Sequence, residues 1–309
     1  MKKKWKKILM AAACTVMLLS GTSSLAAENV MNNSCAPAGI AETGDGSLLV
    51  TDTYHKVIWK VKDGQSSVFA GTPGAEGMYG EPEGGYRDDN LNRALFGNPW
   101  AIVPFKGGYA VSDPANNVIR LLGDNKVRTV NLSKVLSNPT GLAADAEGCL
   151  YIADTNHNQI LKVTANGSAS VWLSGLSEPT GLYYQNGSLY IADSGNNRIV
   201  KAVSGKISSV MGGTQSGYLD GALQNSLFAN PMAIAVDLDG TIYVADTGNS
   251  AIRKIQGNTV STLLVNKGSE SENFSVSPVS LQLVGNNLYI CDIFSREMIA
   301  IPKEQGVTR

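Results

Sequence analysis

Two histidines, His55 and His157, each stand three residues after an aspartate that ends an apolar run, Asp52 and Asp154. Imidazole beside carboxylate is the pairing of a general base with its orienting group, or of a metal ligand with its supporting acceptor. The aspartate recurs six times, as Asp52, Asp113, Asp154, Asp193, Asp246 and Asp292, which raises a ring of carboxylates around a cation as a second chemistry. The regularity argues against both. The slot three residues on holds Asn116, Asn196 and Asn249 in three other copies and Ser295 in the last. A slot that accepts Asn, His or Ser is a polar turn position, and an aspartate present in every copy bonds backbone within that turn. Catalytic zinc keeps three protein ligands, and the chain has no third histidine. Nor does it contain a GxSxG elbow, a Walker loop or an HExxH helix.

The elements that must carry these residues form a repeat. Each copy opens on a proline (Pro37, Pro99, Pro139, Pro179, Pro231, Pro278) and reaches its aspartate 14 or 15 residues later. The runs SLLVTD, GYAVSD, CLYIAD, SLYIAD, TIYVAD and NLYICD read as second strands, nearly continuous in apolar residues and so covered on both faces. A third strand follows, with Ile58, Ile119, Ile160, Ile199, Ile252 or Met298 six residues past the aspartate, and β-branched runs such as ASVWLSG supply a fourth. Four short strands in about 40–50 residues is the period of a propeller blade. The expected fold is all-β, a six-bladed β-propeller, and the absence of any Trp-Asp pair excludes the WD40 version. The sixth copy lacks a fourth run, so the segment Glu28–Cys35 is expected to supply the outer strand of the last blade and close the ring.

At these residues a resemblance can be named. GLAADAEGCLYIADTNHNQILKV resembles an NHL repeat, and the six copies together are similar to a six-bladed NHL propeller. The resemblance implies the fold and not one function, since lyases, protein binders and RNA binders share it. The amidating lyases of this architecture hold zinc on histidines, which two turn histidines do not match. Gluconolactonase-like propellers hold a divalent cation at the channel with Glu, Asp and Asn. Here the residues after the blade-opening prolines, expected at the channel mouth, are Ala38, Trp100, Thr140, Thr180, Met232 and Val279, none a carboxylate; Glu178, Asn98, Asn138 and Asn230 lie one residue away.

Residues 1–27 read as a secretory signal peptide: five lysines, an apolar run from Ile8 to Leu19, then Ser24-Leu25-Ala26 as the cleavage site. Lipidation at Cys14 fits less well, because Ala11-Ala12-Ala13 lacks the usual large aliphatic residue. Residues 28–309 are then the propeller, secreted to the exterior of a cell envelope that the lysine-rich leader suggests is bacterial. The leader holds five of the 25 basic residues and no acid, leaving 20 against 26 and a mature net charge of −6. That balance disfavours nucleic acid as a partner. Cys35, Cys149 and Cys291 form neither a disulfide framework nor a zinc knuckle.

Two interblade connections are long, 72–98 and 212–230, and lie three blades apart, on opposite sides of a sixfold ring. They share Gly-Tyr-x-Asp-x-x-Leu-x-x-x-Leu-Phe-x-Asn-Pro. Asp88 and Asp220 are expected to cap a short helical turn, with Leu91/Leu95 and Leu223/Leu227 facing the ring and Phe96 and Phe228 between blades. The extra MYGEPEGGYR of the first insertion has no packing pattern and suits contact with a partner. The leading expectation is a non-catalytic extracellular module that binds a protein or small ligand through this face. Tyr54, Tyr86, Trp100, Tyr218 and Phe294 are its aromatic candidates, with no catalytic residue, metal ligand or cofactor assigned. The alternative is a calcium-dependent hydrolase or lyase of the gluconolactonase-like class; RNA binding is disfavoured by leader and acidity.

Overall fold

The computed structural model describes residues 28–31, 35–74, 82–213, 215–265, 277–293 and 295–303; the signal segment 1–27 and Phe294 lie outside the described residues. Six antiparallel sheets follow one another around a ring, each a blade whose first three strands run in sequence order from the channel outward. Blade 3 shows the unit: Pro139–Ala144 inside, then Leu150–Asp154, Gln159–Val163 and the outer Ala169–Ser174. Its second strand is buried along its whole length, as its apolar run requires, because neighbouring blades cover both faces. Ile152 and Leu161 face blade 2, while Tyr151, Ala153 and Ile160 pack against Leu189 and Ile191 of blade 4.

The ring closes as the sequence requires. Strand Glu28–Met31 pairs antiparallel with Glu297–Pro302, so the last blade takes its outer strand from the start of the chain. Closure of this kind leaves neither end of the ring as an open sheet edge. Blades 2 and 5 gain a fifth strand each, Asp89–Asn90 and Gly221–Ala222, donated by the two long insertions and paired to the outer strand.

Blades are joined at their inner ends by side-chain hydroxyls beside the strand-ending aspartates. Thr155, Ser194 and Thr247 each donate to the carbonyl of the next blade's first proline, at 2.8, 2.6 and 2.5 Å. In blades 1 and 2 the residue before the aspartate does this work: Thr51 donates to Trp100 O at 2.5 Å and Ser112 to Thr140 O at 2.6 Å. Blade 6 has Cys291 and Ile293 at those two positions, so its seam with blade 1 has no such hydroxyl.

Inner strands crowd around the channel, and this explains the glycine in the Pro-Thr-Gly of blade 3. A Cβ on Gly141 would sit 1.8 Å from Thr180 O, a backbone atom of the next blade. Gly141→Ala should therefore cost about 1–3 kcal/mol in urea unfolding. Gly44→Ala, where nothing lies within 4 Å of the added carbon, should stay within about 0.5 kcal/mol of the parent.

Candidate functional site

The six aspartates are fully or nearly fully buried, between 0% and 3% exposed, and each is satisfied by its own blade. One 3₁₀ turn follows in blades 2 to 5, ending on a residue with left-handed backbone. The corresponding residue of blades 1 to 6 is Lys56, Asn117, Asn158, Asn197, Ser250 or Arg296, with φ between 50° and 62°. Asparagine tolerates this conformation best, which accounts for its presence in three of the six positions. The side chain three residues past the aspartate turns back onto it: His55 Nδ1 lies 2.6 Å from Asp52 Oδ2 and His157 Nδ1 2.8 Å from Asp154 Oδ2. Asn116, Asn196 and Asn249 donate in the same way at 2.8–2.9 Å, and Ser295 does so through its backbone N–H at 3.0 Å. Backbone N–H groups of the preceding interblade segment, from Ala36, Asn98, Ser137, Ser177, Ala229 and Ser277, complete the shell. Burial alone would raise Asp52, but bonds from His55, Trp59 and the Ala36 N–H outweigh it and hold the carboxyl below its ordinary value.

The two insertions are built differently from the expectation. A single turn does form, with Arg93 N and Ala94 N donating to Asn90 O. Asp88 and Asp220 do not cap it. Asp88 instead accepts from Arg120 Nη2 at 2.8 Å and from the Thr129 N–H and hydroxyl, both at 2.9 Å. Asp220 repeats this with Arg253 at 2.6 Å and with the N–H and hydroxyl of Thr262. Each carboxylate thus crosses to the body of the next blade, where a buried guanidinium attracts it more strongly than free N–H groups of one short turn.

Arg120 and Arg253 are the residues that sequence reasoning missed. Both have 0% exposure, in the middle of a third strand where blades 3, 4 and 6 carry Leu161, Val200 and Ile299. Arg253 bridges Asp246 at 2.7 Å and Asp220 at 2.6 Å, and donates to Leu227 O and Leu219 O at 2.9 Å. Arg120 bridges Asp88 and Asp113 and donates to Leu95 O and Arg87 O. Each guanidinium is flanked by two rings: Tyr86 and Phe96 at 5.2 and 5.1 Å for Arg120, Tyr218 and Phe228 at 4.7 and 5.2 Å for Arg253. Cation–π attraction and two carboxylates together offset the cost of burying the charge. The signal was present: arginine occupies this third-strand position only in the two blades that follow the long insertions.

The four described candidate aromatics occupy separate places, and none of the ring contacts among the described residues joins two of them. Tyr86 and Tyr218 stand on opposite sides of the ring, 56% and 48% exposed, their hydroxyls fixed to Thr129 and Thr262 at 3.0 and 2.7 Å. Tyr54 is half-buried in the blade 1 turn, edge-on to His55 and with the Arg296 guanidinium 4.6 Å from its centroid. Trp100 is half-buried at the mouth of the central channel. That channel holds about 340 Å³ and is lined there by Ala38, Trp100, Thr180, Met232 and Val279. Thr140 turns its hydroxyl to Thr155 at 2.7 Å. The described lining contains no carboxylate, imidazole or thiol.

Six blades, each built on a buried aspartate and its turn, make the fold a six-bladed β-propeller. Residues 176–202, in blade 4, match the family model of the NHL repeat. No curated protein sequence matches the chain. Among solved structures it is similar to virginiamycin B lyase from Staphylococcus aureus, at 16% identity and TM-score 0.64 over 90% of this chain and 98% of that one. It is also similar to a candidate gluconolactonase, at 13% identity and TM-score 0.65 over 93% and 96%. An auxiliary nutrient binding protein from Bacteroides ovatus matches at 14% identity and TM-score 0.64, over 87% of this chain and 69% of that one. At such identities these likenesses establish the fold. No helix among the described residues is long and apolar enough to cross a membrane.

Two predictions follow from the arginine sites. Arg253→Met leaves Asp246 buried without its cation and should cost about 3–5 kcal/mol in urea unfolding, whereas Arg198→Met, at a partly exposed pair, should cost clearly less. Asp88 is also held below its ordinary value: burial opposes this, but the bonds from Thr129 and Arg120 prevail. A depressed folded pKa contributes stability that is complete above the unfolded value of about 3.9 and lost as pH falls through the lower folded one. The melting temperature should therefore drop below about pH 4, and Asp88→Asn should flatten part of that drop.

Proposed function

We propose that the protein is an exported, non-catalytic binding module whose contact surface is the face carrying segments 72–98 and 212–230. One observation carries this reading. Tyr86 and Tyr218 present about half of their surface to solvent while a buried arginine and a threonine hydroxyl hold each ring from behind. An aromatic side chain fixed before contact loses little conformational freedom on binding, which is the property of a good anchor. Trp100 at the channel mouth extends the surface towards the axis. Export through the leader and an extracellular protein or small molecule as ligand belong to the same proposal. The acidity of the mature chain speaks against nucleic acid.

The likeness to a lyase and a candidate gluconolactonase supports the alternative of a hydrolase or lyase using calcium at the channel. The side chains at the mouth favour it less, since they offer hydroxyl, thioether and aliphatic groups to a cation that selects carboxylates. A catalytically inactive histidine-to-alanine variant of virginiamycin B lyase has been solved with quinupristin. Here both histidines are engaged by the aspartate of their own turn.

The test has two arms. Incubation with a lactone panel and with quinupristin, with and without calcium, should give no turnover. A thermal-shift screen of oligosaccharides and peptides should give ligands whose affinity falls on the order of 30-fold in Tyr86→Leu or Tyr218→Leu. Turnover of either substrate class, or ligands indifferent to both tyrosines, would overturn the reading.

A further inference from the structure

Blade 1 carries a thiol where the other five blades do not. Two residues before the opening proline, blades 2 to 5 carry Gly97, Ser137, Ser177 and Ala229 and blade 6 carries Val276; blade 1 carries Cys35. The Cys35 Sγ, a carboxylate oxygen of Asp52 and a ring nitrogen of His55 all lie within 4.8 Å of one another. No other group of three such donors occurs among the described residues. Blade 3 supplies the internal comparison. Its Asp154 and His157 make the same turn, but Ser137 stands where the thiol would be.

We propose that Cys35, Asp52 and His55 bind a zinc ion at the seam where the ring closes. A thiolate, an imidazole and a carboxylate are the three donor types zinc takes, and three protein ligands with one open position is a stable arrangement for it. Charge balance favours the site. The thiol releases its proton on binding, and the imidazole, its proton held on the other nitrogen, offers a lone pair. One thiolate and one carboxylate then neutralise the dication, so that no net charge is buried. Blade 3 lacks the thiolate and would leave a net positive charge. Asp52 is already oriented: its Oδ2 accepts from Trp59 Nε1 at 2.9 Å and lies 2.6 Å from His55 Nδ1, so the two donor atoms face each other and the ion replaces their direct contact. Cys35 is 2% exposed and the His55 side chain 25%, so the ion enters past the imidazole and a water completes its shell there.

The location gives the ion its purpose. Cys35 packs with Val279, Cys291 and Met298 of blade 6 and with Ile40 and Val50 of blade 1. This is the seam whose two flanking positions, Cys291 and Ile293, carry no hydroxyl to bond the next blade. Zinc there ties the segment that follows the closing strand to the first blade by coordination.

Cobalt(II) is the spectroscopic probe. Titrated into the purified mature protein, it should give one equivalent of tetrahedral cobalt with a sulfur-to-metal charge-transfer band, and zinc should displace it. Zinc in excess should raise the melting temperature by about 5 °C. Both effects should vanish in Cys35→Ser and His55→Asn. These variants keep the fold, because serine and asparagine fill the same two positions in other blades. His157→Asn should change neither. Absence of the thiolate band in the parent, or its survival in both blade 1 variants, would overturn the proposal.

Discussion

A carboxylate with no exposed surface has to be satisfied entirely by protein donors, and this chain sets that condition six times over. Each aspartate ends a second strand. Its oxygens gather the turn that follows, the side chain three residues on and the N–H of the segment arriving from the blade before. Tertiary position thus follows from a local bond: in five of the six blades the inner strand starts where its proline pairs with the aspartate, as Pro37 does with Asp52 and Pro139 with Asp154. The ring is six repetitions of this constraint, five of its seams joined by a hydroxyl one residue to one side of it.

What differs between blades is the donor that the third strand adds. Blade 1 offers the Trp59 indole, blade 3 Gln159 and blade 4 Arg198, each within 2.9 Å of its aspartate. Blades 2 and 5 offer a wholly buried arginine instead, and the surplus positive charge needs a second carboxylate. Asp88 and Asp220 provide it, and the insertions that carry them are thereby drawn against the outer strand as a fifth strand. The exposed tyrosines are a result of the same requirement, since each covers a guanidinium that would otherwise meet water. Two assemblies of the same residue types, three blades apart, tie each insertion to the body of its blade.

The repeat was legible in the sequence because proline and aspartate spacing is local and recurs in six copies. The closing strand could be read as well, from the missing fourth run after Ile301. The capping role given to Asp88 and Asp220 failed for a physical reason: an aspartate before a possible turn resembles an N-cap, and its actual partner sits more than thirty residues away in another strand. Arg120 and Arg253 escaped notice because they sit among apolar neighbours, and charge inside such a run reads as an exposed strand face. Only alignment of the blades against one another sets them apart. Tyr86 and Tyr218 were legible as exposed rings, but what holds them was not.

The closing seam is where these constraints meet differently. Five seams carry a hydroxyl from beside the aspartate to the next blade, and each such bond contributes about 1 kcal/mol. At the sixth the chain must also hold together two ends that no peptide joins, and there Cys291 and Ile293 supply only packing, around Val279 and Met298. Strand pairing through Glu28–Met31 ties the outer edge of that blade, far from the channel. The inner edge depends on apolar contact and on the turn of Asp52, whose carboxylate holds Ala36, His55 and Trp59 at once. Loss of this one carboxylate would loosen the turn, the third strand and the start of the inner strand together, at the seam whose two flanking positions, Cys291 and Ile293, carry no hydroxyl.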